Sequence, residues 1–514
     1  MNAGAATREP PRGPALEPIA WFVVCALVYL ALGQGTFYKT DGPDIARLLD
    51  AHLQTNAPLQ HPWHVGFLPA LEAFRRLCVA LGLQPGYVQL GAWFSALGAA
   101  LGVAFALAGM RRLVGATVAR WASLLLACNP GYVLFATVVE YHGPLQAMLG
   151  LSFWWTAVQV ARPSWWGMVV LAGLCHAAFL VHGQALFHPL WLLAFWFARR
   201  RPLGAHRRDF VWAAATGLVH AGLWWGLPRL LPGTYGMWAD LGRGLATEAS
   251  IGRPQSLDYT PTILWQEWLW PLLPVSVLVW CTPLRRALRM EFAAFVVGFA
   301  PFLYVSVRQL VFEPEYGAYL LPMVLPASLL VAQFVPASAR RWLALSLPLG
   351  LLPMLLDQRV HLAAQRRFDA EWSAAIATAA GGARPFVLVG SHRELAAAYA
   401  TLPAPATLRP PLTDEVLLWV RENASMPRAQ ATPEHFAGVD AYLRALHASG
   451  RAVLLTATAL DSLDDPRAAM LAEKATLQVA PNETMAGPLF AAHLRERFDL
   501  VSAAPGVFRL VPKP

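Results

Sequence analysis

The order of apolar and polar positions divides the chain in two. Up to about Leu356, apolar blocks rich in Leu, Ala and Trp alternate with short polar joints; from Asp357 onward apolar runs are short and set among charges. The first block runs from about Pro18 to Phe37, and the others centre near Leu97, Leu126, Leu151, Leu174, Trp191, Thr216, Pro274, Val297, Leu325 and Leu347. A membrane span needs roughly 20 apolar residues, fewer inside a bundle, so the pattern predicts about eleven transmembrane helices. The stretch from His61 to Leu83 is apolar but carries Glu72, Arg75 and Arg76 on one helical face, which predicts a helix lying flat at the interface. Beyond Asp357 the buried-strand pattern fits Pro385 to Gly390 and Arg451 to Thr456, helices fit Ser391 to Ala400 and Glu434 to Ser449, and a hairpin fits Phe498 to Val501 with Gly506 to Val511. The expected architecture is therefore a polytopic α-helical membrane domain over 1–356 and a soluble α/β domain over 357–514.

Composition agrees with that division. Hydrophobic residues make up 56% of the chain and charged residues only 14%, against about a quarter charged in a soluble domain. Basic and acidic residues balance after Asp357 at 16 each, so the whole +9 excess falls in the apolar part. With the N-terminus inside and the spans alternating, the inner loops hold 16 basic residues against four acids (Glu9, Glu17, Asp209, Glu291), and the outer side holds eight against 11. The positive-inside rule is met, which makes the basic excess a topology signal and argues against nucleic acid as a partner. An odd number of spans then puts the tail outside. The expected setting is a bacterial inner membrane with a cytoplasmic N-terminus and a periplasmic or extracellular C-terminal domain. The five cysteines have no metal-ligand spacing, and no GxGxxG or P-loop marks a nucleotide site.

Ionisable residues in or beside spans are costly and so mark function. Five sets fall at the predicted outer rim. Lys39, Asp41, Asp44 and Arg47 follow the first span. His61 and His64 open the interfacial stretch, while Glu140 and His142 end the third span. His182 sits in a polar break, and Arg308, Glu313 and Tyr316 precede a late span. Asp41 and Asp44, three apart, share a helical face; one can take a proton from a hydroxyl while the cations hold a phosphate. Two of the sets also have a plain structural reading: Asp41 as a helix cap with Pro43 in the first turn, and His61 and His64 as caps or interfacial aromatics.

The order of these segments resembles the GT-C superfamily of membrane glycosyltransferases. It is nearest to the protein O-mannosyltransferase-like branch with GDSGE, HPPGYPL and EVY segments. Residues 40–44 (TDGPD) resemble GDSGE, residues 61–67 (HPWHVGF) resemble HPPGYPL, and residues 140–145 (EYHGPL) resemble the EVY segment. Residues 313–322 (EPEYGAYLLP) are similar to an RY-x-LP element. The likeness covers roughly 15–200 and 305–335. Thr40, Gly42, Trp63 and Glu315 depart from the pattern.

The resemblance implies inverting transfer of a monosaccharide from a polyprenyl-phosphate donor to an extracytoplasmic hydroxyl of a protein, lipid or glycan. Asp41 or Asp44 would be the base. Lys39, Arg47, His61, His64, Glu140, His142, His182, Arg308, Glu313 and Tyr316 would hold phosphate or sugar. Membrane lipids surround the domain. The resemblance leaves room for a divalent cation, for which the sequence fixes no ligand. A transporter or flippase of lipid-linked sugars and an inactive GT-C-like scaffold are the competing readings; the lack of an internal repeat and the retained acids speak against them. The tail, with no cofactor motif, is expected to serve acceptor choice or act as a lid.

Overall fold

The computed structural model describes residues 16–37, 41–59, 61, 64–200, 207–230, 286–309, 318–401, 416–417, 424, 426–473 and 481–514. The helices through the apolar part are α1 (Leu16–Leu32), α2 (Asp41–Thr55), α3 (Phe67–Ala80), α4 (Tyr87–Leu113), α5 (Ala116–Ala127), α6 (Pro130–Thr137), α7 (His142–Ala161), α8 (Trp165–Val181), α9 (His188–Arg200), α10 (Arg207–Leu230), α11 (Arg286–Gln309), α12 (Leu321–Phe334) and α13 (Arg340–Ala380). The predicted span centre near Pro274 lies outside the described residues, and the other centres fall within helices. Among the described residues only α4 is long and apolar enough to cross a membrane by those two measures; α1, α5, α8 and α12 are shorter apolar helices.

The chain forms two compact units. The first comprises residues 1–33, 60–75 and 91–358; the second comprises 34–59, 76–90 and 359–514. In the first, α4 and α7 approach through small residues. A Cβ on Gly98 would lie 2.7 Å from the Gly143 carbonyl, and one on Gly150 would lie 2.4 Å from the Gly102 carbonyl oxygen. Such seams let backbones meet closely where no water drives association.

Charge collects at one end of this unit. Glu17, in the first turn of α1, takes Arg111 from the end of α4 and Arg120 from the start of α5, the latter at 2.6 Å. Arg199, at the end of α9, binds Glu291 of α11 at 2.8 Å, Gln333 of α12 at 2.9 Å and the Leu113 carbonyl. Its neighbour Arg200 binds Asp209 of α10 at 3.0 Å and the carbonyl of Val160 in α7. Buried carboxylates persist only when paired in this way.

Within the stretch from His61 to Leu83 the charges differ in exposure, with Arg76 exposed and Glu72 buried. The helix starts at Phe67, after a turn that donates the Gly66 N–H to the Leu180 carbonyl at 2.7 Å. Glu72 is buried, and Arg75 grips it with two hydrogen bonds of 2.6 and 2.9 Å. Pairing, rather than water, neutralises that charge.

The second unit is built on a sheet of β1 (Pro385–Leu388), β2 (Val416–Leu417), β3 (Ala452–Thr456), β4 (Phe498–Ala504) and β5 (Val507–Pro512). The order is β2-β1-β3-β5-β4, with β1 parallel to β2 and β3, and β5 antiparallel to β3 and β4. Its helices are α14 (His392–Thr401), α15 (Pro433–Ala448), α16 (Ala457–Asp464), α17 (Pro466–Glu473) and α18 (Gly487–Arg497). Strand β3 is buried throughout, which is why it reads as one apolar run. Gly506 turns the β4–β5 hairpin at φ +70°, a conformation that glycine adopts without strain. Phe386, Leu388, Leu455, Phe490, Leu494 and Phe498 fill the core against the helices.

Candidate functional site

In the second unit, Asp41 is the first residue of α2 and Asp44 lies one turn on. Unpaired N–H groups at a helix start favour a carboxylate there. Asp44 receives Arg47 Nε on one oxygen at 3.2 Å and His392 Nε2 near the other at 3.4 Å. Burial pushes the Asp44 carboxyl up, but His392 and Arg47 outweigh it and hold the group below its usual range. Deeper on α2, the buried Asp50 accepts from Tyr87 and from Gln54, the latter at 3.0 Å, and Tyr399 Oη stands 3.5 Å away. Tyr87 and Tyr399 meet edge to face at 5.3 Å. Burial, with Asp50 beside it, pushes the Tyr399 hydroxyl well above its ordinary value.

In the first unit, three chain breaks bring imidazoles together. Helix α6 ends at Thr137, the chain runs extended at Val138, and α7 restarts at His142 with Pro144 in its first turn. That break carries Glu140 and Tyr141. Helix α8 ends at Val181, and His182 starts a 3-10 turn over Gly183–Phe187. The third break is the turn from His64 to Gly66. His64 stacks on Tyr141 at 3.5 Å between ring centres, with His61 at 4.6 Å and His182 at 4.4 Å from His64. The His142 ring is 4.7 Å from that of His182, and its Nδ1 is 3.6 Å from Glu140 Oε2.

The hydrogen bonds select tautomers. His64 Nδ1 faces the Val181 carbonyl at 3.3 Å, and a carbonyl only accepts, so Nδ1 carries the proton. The Gln184 N–H donates to His182 Nδ1 at 3.1 Å, so a neutral His182 carries its proton on Nε2. The cluster thus offers an acceptor Nε2 on His64 and a donor Nε2–H on His182, on rings whose centres are 4.4 Å apart. Such a pair suits a hydroxyl or a phosphate oxygen. Among the described residues no group of three or more His, Cys, Asp or Glu side chains converges as a metal-ligand set.

The structure therefore gathers Asp44 and Arg47 in one unit and His61, His64, Glu140, His142 and His182 in the other. Lys39, Glu313 and Tyr316, and the side chain of Arg308, lie outside the described residues. Sequence reasoning passed over Asp50, His392 and Tyr399. The signal for His392 was its place just after a buried strand.

No protein-family profile and no curated protein sequence matches the chain. Solved structures do. ArnT from Cupriavidus metallidurans bound to undecaprenyl phosphate superposes with a TM-score of 0.56 and 13% identity, over 97% of this chain and 98% of that one. The same protein in its apo state gives 0.51 and 13% over 96% and 97%. At that identity the likeness speaks for the fold alone, which this chain shares with that protein nearly end to end.

Proposed function

We propose that the chain is a GT-C glycosyltransferase that moves a monosaccharide from a polyprenyl phosphate to an acceptor hydroxyl at the outer face of a membrane. The observation that carries this reading is the end-to-end fold likeness to a protein crystallised with undecaprenyl phosphate. The acid pair at the head of α2 supplies the chemistry. Asp41 takes the proton of the acceptor hydroxyl, whose oxygen attacks the anomeric carbon from the face opposite the phosphate. The bond from that carbon to the phosphate oxygen breaks, and the lipid phosphate leaves already ionised, so no strong general acid is required. Asp44 is the alternative base. Arg47, with Lys39 and Arg308, balances the leaving charge. His61, His64, Glu140, His142, His182, Glu313 and Tyr316 hold sugar hydroxyls and phosphate. The branch resembling protein O-mannosyltransferases gives the first donors to try.

The topology in this reading has about eleven spans, a membrane domain over 1–356, a cytoplasmic N-terminus and the 357–514 domain outside. Supporting it, the starts of α1, α5, α10 and α11 share their arginine–acid network with the ends of α4, α7, α9 and α12. These are the ends that the charge rule assigns to the inner side.

Deleting the gene in the native host tests the function. Lipid profiling by mass spectrometry should show a polyprenyl-phosphate sugar accumulating, and the wild-type chain should clear it. Asp41→Asn should fail to do so, since a general base contributes roughly 10²- to 10⁴-fold. An unchanged lipid profile in the deletion, or full clearance by both Asp41→Asn and Asp44→Asn, would sink the proposal.

A further inference from the structure

In open sheets with parallel strands, ligands and catalytic groups gather where the strand order reverses, at the carboxyl ends of the strands. Here β1 sits between β2 and β3, and the chain leaves it first toward β2 and later reaches β3 on the other side. The reversal therefore lies at the carboxyl ends of β1 and β3, where the loop Gly390–Ser391–His392 enters α14. That crevice is already filled. Glu394 is buried and accepts the Gly390 N–H and the Thr456 hydroxyl, each at 2.9 Å. Ser391 Oγ accepts the Glu394 N–H at 3.2 Å, so the serine and glutamate cap the helix together. A Cβ on Gly390 would lie 2.5 Å from Ala459. The crevice holds its own carboxylate and fixes the loop, and the one imidazole in the loop faces Asp44.

We propose that His392 is a positioning residue for the acid pair, by which the α/β domain presents a cation to Asp44 and so completes the catalytic helix α2. This rests on the glycosyltransferase reading of Asp41 and Asp44. The geometry is over-determined on both sides. The capped loop fixes His392, and on the same two helices Asp50 of α2 meets Tyr399 of α14. The titratable and charged groups described around Asp44 are Asp41 and Arg47 on its own helix and His392 and Tyr399 on α14; Asp50 lies further along α2, beside Tyr87. Among the described residues Arg47 reaches one carboxylate oxygen and His392 faces the other. His392 is a cation there only while protonated, which ties the site to pH.

Two measurements on the full-length protein test this. In the first, the histidine ring resonances of labelled protein are titrated, with His392 identified by its absence in His392→Gln or His392→Arg. Asp44→Asn should move the His392 midpoint to lower pH; an unmoved midpoint overturns the pairing without any substrate. In the second, kcat/KM for transfer from an undecaprenyl-phosphate sugar is followed against pH. His392→Gln should move the acidic limb to higher pH, making the variant about tenfold slower at its foot. His392→Arg, which keeps a cation, should restore the limb. A profile that only scales down, with no rescue by Arg, overturns the positioning role. If the titration behaves as stated but wild-type protein transfers no sugar, the proposed reaction fails and the pairing stands.

Discussion

At the scale of single residues, the site is built from groups whose protonation is chosen for them. His392 and Arg47 hold the Asp44 carboxyl below its usual range despite burial, and its contribution to stability follows from the sign of that shift. A carboxyl with a lowered folded-state pKa adds stability above its unfolded value near 3.9, and loses it as pH falls through the folded value. The melting temperature of full-length Asp44→Asn should therefore lie below wild type at pH 7, and the gap should close on acidification. A gap that widens toward acid pH would contradict the pairing. The acids were legible in the sequence because a carboxylate beside an apolar run is conspicuous. His392 was not, because nothing in a one-dimensional pattern says that a strand-end loop meets a helix some 350 residues earlier. Tyr399 and Asp50 were hidden for the same reason: each reads as an ordinary polar residue on its own helix.

At the scale of elements, hydrophobic periodicity marks helices and strands, and the polar residues that interrupt it mark the breaks at Glu140 and His182. The strands at Pro385 and Ala452 and the closing hairpin fall where the apolar runs put them. The two-residue β2 is too short to leave a pattern. The breaks at Val138 and His182 place Glu140, Tyr141 and His182, but nothing in the periodicity says that the two breaks and the turn at His64 meet. The α4–α7 seam is the element on which that first-unit cluster depends, since α7 begins at His142. Gly98→Ala should destabilise it by about 1–3 kcal/mol through overpacking, because the new methyl meets backbone that has no freedom to move. Gly173→Ala on α8, where a Cβ meets nothing within 4 Å, should be tolerated. Thermal unfolding in detergent checks both. Equal melting temperatures for the two variants would show that the seam is looser than it stands here.

At the scale of the whole molecule, the chain joins an apolar helical part, with an arginine–acid network, to a charge-balanced α/β part that carries His392. Hydropathy and charge mark the change of character along the chain, but not that residues 34–59 and 76–90 join 359–514 in one compact unit. Three of the four motifs depart from the resembled pattern, at Thr40, Gly42, Trp63 and Glu315. The central claim is that the chain breaks the bond between sugar and lipid phosphate with the acid pair of α2. The most direct test is to incubate the purified full-length chain in nanodiscs with labelled undecaprenyl-phosphate monosaccharides and an acceptor extract, and to follow free undecaprenyl phosphate and the anomeric configuration of the product. The account predicts release of the lipid phosphate with inversion at the anomeric carbon, lost in the double variant Asp41→Asn, Asp44→Asn. Equal release by wild type and the double variant, a product of retained configuration, or a donor recovered intact would contradict it.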